Sequence, residues 1–323
     1  MSEGRRSLTV LLALAANLLV GLLKLAAGLI TGSAALLSEA AHSVGDCVTE
    51  ILLLVALRRS ERAPDRQHPF GYGMERYFWS LMAAGAIFIS GAGFSLYEGV
   101  HTITGGDSSG EHLWLNYPVL AAAFLLEGTS FLQALRGVRQ QAQRRHRSLI
   151  SLIRNPEDPT ANSVALEDSA ALVGIGFAAI GVALHQITGQ AVWDGAASVA
   201  IGTLLLGVAY LLTTTCRSLL TGRQADPQLM RAIEKALEEE AEIVDVVDML
   251  SMLVGTNRVL LCVRADFVND LSAGQLEEAC LRIDADLRER FVELDEIFIQ
   301  PASRRDSALR ARVQARYGHS LAD

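Results

Sequence analysis

Long apolar stretches recur along the first two thirds of this chain and constrain its architecture more than any other feature. Residues 8–30 are almost entirely Leu, Ala, Val and Gly. A helix of that length, rising about 1.5 Å per residue, crosses a hydrocarbon core of about 30 Å. Comparable stretches follow at residues 34–57, 77–103, 113–135, 161–187 and 193–215, which makes six expected spans. The first is too long for a signal-peptide core, carries Lys24, and runs directly into the second, so it reads as a retained helix.

Charge around the spans predicts their orientation. Arg5 and Arg6, the loop with Arg58, Arg59, Arg62 and Arg66, and the loop with Arg139, Arg144, Arg145, Arg147 and Arg154 fall on one side. The opposite connections, 31–33, 104–112 and 188–192, hold no Lys or Arg. The positive-inside rule makes the basic side cytoplasmic and puts both termini there. The expected location is a plasma or bacterial inner membrane. A mitochondrial membrane is the alternative, and Glu3 with no Arg/Ser-rich leader argues against import of the chain as it stands.

After Gly222 the pattern becomes that of a soluble domain. There are 13 Lys and Arg against 20 Asp and Glu in this part, compared with 15 against 16 before it. So acidic a region repels polyanions, which excludes nucleic acid as a partner. A helical pattern at 227–241, an apolar run at 243–254, alternation at Val259, Leu261, Val263, Ala265 and Phe267, an amphipathic stretch at 273–291 and a strand at 294–300 give the order α-β-β-α-β. The expected fold is an all-α six-helix transmembrane domain (1–222) plus a small α/β, ferredoxin-like cytoplasmic domain (223–302), followed by a mobile tail (303–323). Cys47, Cys216, Cys262 and Cys280 show no C-x-x-C spacing and suggest neither a disulfide framework nor a structural zinc knuckle.

Ionisable groups inside a bilayer cost about 2.5–3.5 kcal/mol each, so those retained face a partner or a cavity. The second span carries Glu39, His42, Asp46 and Glu50 at intervals of three, four and four residues. On a helix they share one stripe about 80° wide. His42 and Asp46 lie one turn apart and can converge on one cation. Glu167 and Asp168, in the otherwise apolar fifth span, supply further carboxylates. Such a nitrogen and oxygen set suits Zn²⁺, with Mn²⁺, Co²⁺, Fe²⁺ and Cd²⁺ as allowed alternatives. A purely interhelical hydrogen-bonding network is the competing reading. Lys24, Glu98 and Glu127 read as interhelical pairing or snorkelling groups, and Asp194 as a cap on the sixth helix.

The run from Leu36 to Asp46 (LLSEAAHSVGD) resembles the H/D-x-x-x-D motif of the cation diffusion facilitator family, and His68-Pro-Phe-Gly-Tyr-Gly-Met-Glu-Arg76 resembles that family's loop entering the third span. The resemblance covers nearly the whole chain. It implies a homodimeric divalent-cation transporter, chiefly for Zn²⁺ efflux in exchange for H⁺, with His42, Asp46, Asp168 and Glu167 as ligands and no enzymatic cofactor. Val164 stands where the family has a His or Asp four residues before Asp168, so Glu167 or a water takes the fourth position. The strings Leu-Glu-Asp-Ser-Ala-Ala around Asp168 and Gly91-Ala-Gly-Phe-Ser-Leu-Tyr97 are similar to the divergent branch of mitochondrial-type zinc transporters. In the loop, Asp65 and His68 match an accessory metal site, but Tyr72 replaces a His. No His lies between Gln186 and His319, and Asp248 stands near where a cytoplasmic metal ligand would be, so the second domain is expected to dimerise without metal. A membrane-embedded metallohydrolase and a non-transporting scaffold are the alternatives from other classes. The chain has no H-E-x-x-H signature for the first of these.

Overall fold

The computed structural model describes residues 3–105, 112–144 and 159–317. Arg145, Arg147 and Arg154 of the expected basic loop, together with His319, lie outside the described residues. The chain divides into two compact units, Met1–Arg62 with Glu75–Arg217, and Ala63–Met74 with Ser218–Asp323. The division differs from the expected break at 222 mainly in assigning the connection after the second span to the C-terminal unit.

The first unit is helical: α1 (Glu3–Thr31), α2 (Ala34–Ser60), α3 (Glu75–Ala86) continuing through a π-helical segment (Ile87–Gly93) into α4 (Phe94–Gly105), then α5 (Asn116–Arg144), α6 (Pro159–Thr188) and α7 (Val192–Leu220). Among the described residues, five helical stretches are long and apolar enough to cross a membrane: Ala34–Ser60, Glu75–Gly105, Leu113–Gly137, Ser163–Thr188 and Val192–Leu220. In α1 the apolar stretch among the described residues is the shorter Asn17–Thr31. Large apolar side chains remain exposed on the outer faces, among them Leu18, Leu22, Leu29, Phe88, Ile89 and Leu125. Lipid tails are the solvent that tolerates such a surface.

Between helices the contacts are close because the residues are small. Gly99 of α4 and Gly195 of α7 face each other so tightly that a Cβ on either would meet the other's carbonyl oxygen, at 2.7 and 2.9 Å. This is the small-residue packing that brings helices together where apolar burial gives no drive. Gly32, at φ 66°, turns α1 into α2, and Ser33 Oγ accepts the Leu36 N–H at the start of α2. The expected role of Asp194 as a cap on its own helix is corrected: its partners Ser33 and Ala35 lie at the start of α2. Its carboxylate accepts from Ser33 Oγ at 2.9 Å and from the Ala35 N–H at 3.4 Å, tying α7 to the start of α2.

The second unit follows the expected order: α8 (Pro227–Glu238), β1 (Ile243–Gly255), β2 (Arg258–Phe267), α9 (Ala273–Arg290), β3 (Leu294–Pro301), with a further α10 (Ser307–Tyr317). Asp226 caps α8 with Pro227 in its first turn, and Ser272 with Gln275 forms a capping box at α9. β1 pairs antiparallel with β2 through a turn in which Asn257 takes φ 56°, and β2 pairs in parallel with β3. The sheet therefore has three strands among the described residues, where the ferredoxin-like β-α-β-β-α-β unit has four. Ile233, Leu237, Leu253, Leu261, Ile283 and Leu287 are buried.

Within the segment expected as a mobile tail from 303, Ser307–Tyr317 forms a helix. There Leu309 and Val313, one turn apart, are buried against Val247 and Ala302.

Candidate metal centre

Helix α2 presents its ionisable stripe inward. Glu39 and His42 are buried, at 0% and 2% exposure. His42 Nδ1 lies 3.4 Å from Asp46 Oδ1, the one-turn convergence expected from their spacing. The charged neighbours of Asp46 include Lys24, Asp168 and Glu39, and those of Glu167 include Asp46, Asp168 and Glu50, so α6 brings its acidic pair toward the stripe.

Three of the candidates rest on a protein neighbour. Asp168 Oδ2 accepts from Ser130 Oγ of α5 at 2.8 Å, Glu50 Oε1 accepts from Asn17 Nδ2 of α1 at 2.7 Å, and Glu39 Oε2 accepts from Lys24 Nζ at 3.0 Å. Among the described residues, no three His, Cys, Asp or Glu side chains converge closely enough to hold a metal ion as they stand.

What distinguishes the cluster is its unused polar capacity. Glu39 Oε1, His42 Nε2, Asp46 Oδ1, Glu50 Oε2 and Glu167 Oε1 are buried without a hydrogen-bond partner. Buried polar atoms are normally satisfied, and each orphan costs about 1–3 kcal/mol. Five such atoms on two packed helices leave polar capacity that the protein itself does not use. Gly45, between His42 and Asp46, lets the π-helical segment approach, since a Cβ there would lie 2.6 Å from Ser90 Oγ. π-Helical insertions of this kind are frequent at functional sites.

Sequence reasoning passed over Asn17, Ser43 and Ser130. Asn17 and Lys24 lie seven residues apart on one face of an otherwise apolar helix, and Ser130 follows Glu127 by three. Polar residues at helical spacing within apolar spans were the available signal.

The two accessory positions are occupied by protein. Asp65 accepts from Tyr72 Oη at 2.6 Å and from the Gln67 and His68 N–H groups at 2.9 and 2.8 Å, closing a compact turn on which the Tyr72 and His68 rings pack at a 36° tilt. The Tyr72 hydroxyl first, and then the backbone N–H groups, hold the Asp65 carboxyl down to about 2. Asp248 Oδ2 accepts from Arg264 Nη1 at 2.6 Å and from Arg316 Nη1 at 3.1 Å, so two guanidinium groups engage this carboxylate.

A helical membrane unit with an inward His and carboxylate stripe, joined to a small α/β unit, defines a class of polytopic proteins with an acidic core. The cation efflux transmembrane domain matches residues 10–221, and the chain belongs to that family, the cation diffusion facilitators. It is 33% identical over 258 residues to the mitochondrial proton-coupled zinc antiporter SLC30A9 of Homo sapiens, covering 80% of this chain and 45% of that protein. It is also 33% identical over 255 residues to metal tolerance protein C4 of Arabidopsis thaliana, covering 79% and 56%. A third relative, the manganese efflux system protein MneP of Bacillus subtilis, is 24% identical over 295 residues, covering 90% and 93%. The chain spans about half the length of the first two relatives.

Proposed function

We propose that this chain transports a divalent cation across a membrane, Zn²⁺ in exchange for H⁺, with His42, Asp46 and Asp168 as ligands and Glu167 as the fourth donor in place of Val164. The observation that carries the reading is the set of buried, unpartnered His and carboxylate atoms on α2 and α6. A cation entering between them would satisfy several at once, at the cost of modest rotation away from Ser130 and from the His42–Asp46 contact. Because carboxylate and imidazole ligands must be deprotonated to bind, protons and metal exclude one another at the site. Proton arrival on the far side therefore releases the ion. In this reading α1 is a sixth span, both termini are cytoplasmic, and the chain works as a homodimer through both units, with rocking of the helices giving alternating access. The printed names of the zinc antiporter and manganese efflux relatives support cation transport and leave Mn²⁺ as the competitor to test against Zn²⁺.

The test is transport by the purified chain in liposomes with an acidic lumen. Wild type is expected to accumulate zinc only while the pH gradient lasts, and Asp46→Ala and Asp168→Ala to accumulate none. Zinc uptake indifferent to both the gradient and these substitutions would remove the proposal.

A further inference from the structure

Next to the candidate site lies a second acidic grouping that already holds a positive charge. Lys24 of α1 is fully buried, and its Nζ donates to Glu39 Oε2 and to Ser43 Oγ of α2, each at 3.0 Å. Glu127 Oε1 of α5 stands 4.0 Å from the same nitrogen. Glu127 is itself only 8% exposed. The ammonium thus sits between two carboxylates and a hydroxyl contributed by two other helices, an oxygen-donor arrangement that divalent cations also favour.

This grouping has donor capacity that Lys24 does not use. Glu39 Oε1 is buried without a partner and points at Gly174 of α6, where any Cβ would collide with it. His42 Nε2, one turn along α2 from Glu39, is likewise buried and unpartnered. Glu39, Lys24 and Glu127 are also among the charged groups that act on His42, beside Asp46. A single positive charge answers two carboxylates here.

We propose that Lys24 is a tethered cation filling a second divalent-cation position formed by Glu39, Glu127 and Ser43, and that it thereby limits the core to one transported ion. This role for Lys24 rests on His42, Asp46 and Asp168 being the transport site. Without Lys24, two carboxylates buried beside His42 would hold a divalent ion with no competitor, and an ion so placed would be slow to leave. With Lys24, Glu39 and Glu127 stay engaged and are withheld from the mobile ion's ligand set. A lysine does this because its charge cannot diffuse away, whereas its three donors adapt to whatever oxygens surround it.

The experiment counts zinc bound per full-length chain in detergent by equilibrium dialysis and follows thermal unfolding with and without zinc. Wild type should bind one ion and Asp46→Ala none. Lys24→Gln should bind two and gain more thermal stability from zinc than wild type does, because the metal replaces the missing charge. Lys24→Gln combined with Glu39→Gln should return to one, and Lys24→Gln combined with Asp46→Ala should hold one. A Lys24→Gln chain that binds one ion or fewer and gains no extra stability from zinc overturns the proposal. So does a chain that zinc fails to rescue from misfolding. If Asp46→Ala binds as much zinc as wild type, the transport-site reading fails instead, and the difference between Lys24→Gln and its parent still decides the role of Lys24.

Discussion

The two units treat their carboxylates in opposite ways. In the C-terminal unit, arginines answer them: Arg258 grips Asp295 through two bonds of 3.0 and 2.7 Å, Arg282 spans Glu240 and Glu242 at 2.6 Å each, and Asp248 holds Arg264 and Arg316. Among the described residues of that unit, Asp248 Oδ1 is the single buried carboxylate oxygen without a partner. In the membrane unit, where an unanswered charge is dearest, Glu39, Asp46, Glu50 and Glu167 each leave an oxygen unpartnered, and among the described residues Lys24 is the one buried Lys or Arg beside them. Permanent cations make a carboxylate structural. Carboxylates left open in a low-dielectric core suit a cation that comes and goes.

That contrast predicts different consequences for equivalent mutations. The largest effect belongs to the membrane core, where Asp46→Ala or Asp168→Ala should lower zinc transport by more than about 100-fold, since even outer-shell losses cost about 10–100-fold in affinity. Circular dichroism should find the helices intact. Asp248→Ala should do the reverse. It strands two arginines, and the loss is about 3–5 kcal/mol for a fully buried pair. Because Arg264 and Arg316 are 27% and 41% exposed, that figure is reduced here to about 2–3 kcal/mol. Thermal unfolding of the C-terminal unit should register it while the KM for zinc holds. An Asp248→Ala chain with weakened zinc transport and unchanged stability would blur the distinction.

Gly45→Ala should cost about 1–3 kcal/mol by forcing Ser90 aside, and Ser90→Ala should recover most of that in a double-mutant cycle of unfolding.

The smallest effect is expected at the loop. Asp65 has a carboxyl held down to about 2, so its contribution to the turn is present above the ordinary value near about 4 and is lost as pH falls through about 2. Removing the hydroxyl with Tyr72→Phe should raise the Asp65 carboxyl toward that ordinary value, seen by NMR titration, and leave zinc transport at neutral pH unchanged.

The membrane helices and the stripe on α2 were legible in the sequence because hydropathy and a 3.6-residue period are local properties. The α-β-β-α-β order was legible for the same reason, in the alternation at 258–267 and the capped amphipathic stretch at Ala273–Arg290. What escaped was non-local or sparse. α10 buries only Leu309 and Val313 amid arginines, too thin an apolar face to stand out from a polar tail. Residues 63–74 join the second unit because the Phe70 carbonyl accepts from Arg258 Nη2 and Gly73 approaches the backbone of Val254 and Gly255, contacts some 180 residues away in sequence. At the candidate site, the residue types and their faces could be read from spacing, whereas the partners could not. That Asp168 rests on Ser130, Glu50 on Asn17 and Glu39 on Lys24 depends on how α1, α5 and α6 rotate against α2.

The most direct measurement of the central claim is the X-ray absorption spectrum of zinc bound to the full-length protein. The account predicts one imidazole nitrogen and two or three carboxylate oxygens at about 2.0–2.1 Å, with the nitrogen contribution lost in His42→Ala. A spectrum with sulfur ligands, or one that His42→Ala and Asp46→Ala leave unaltered, would contradict it.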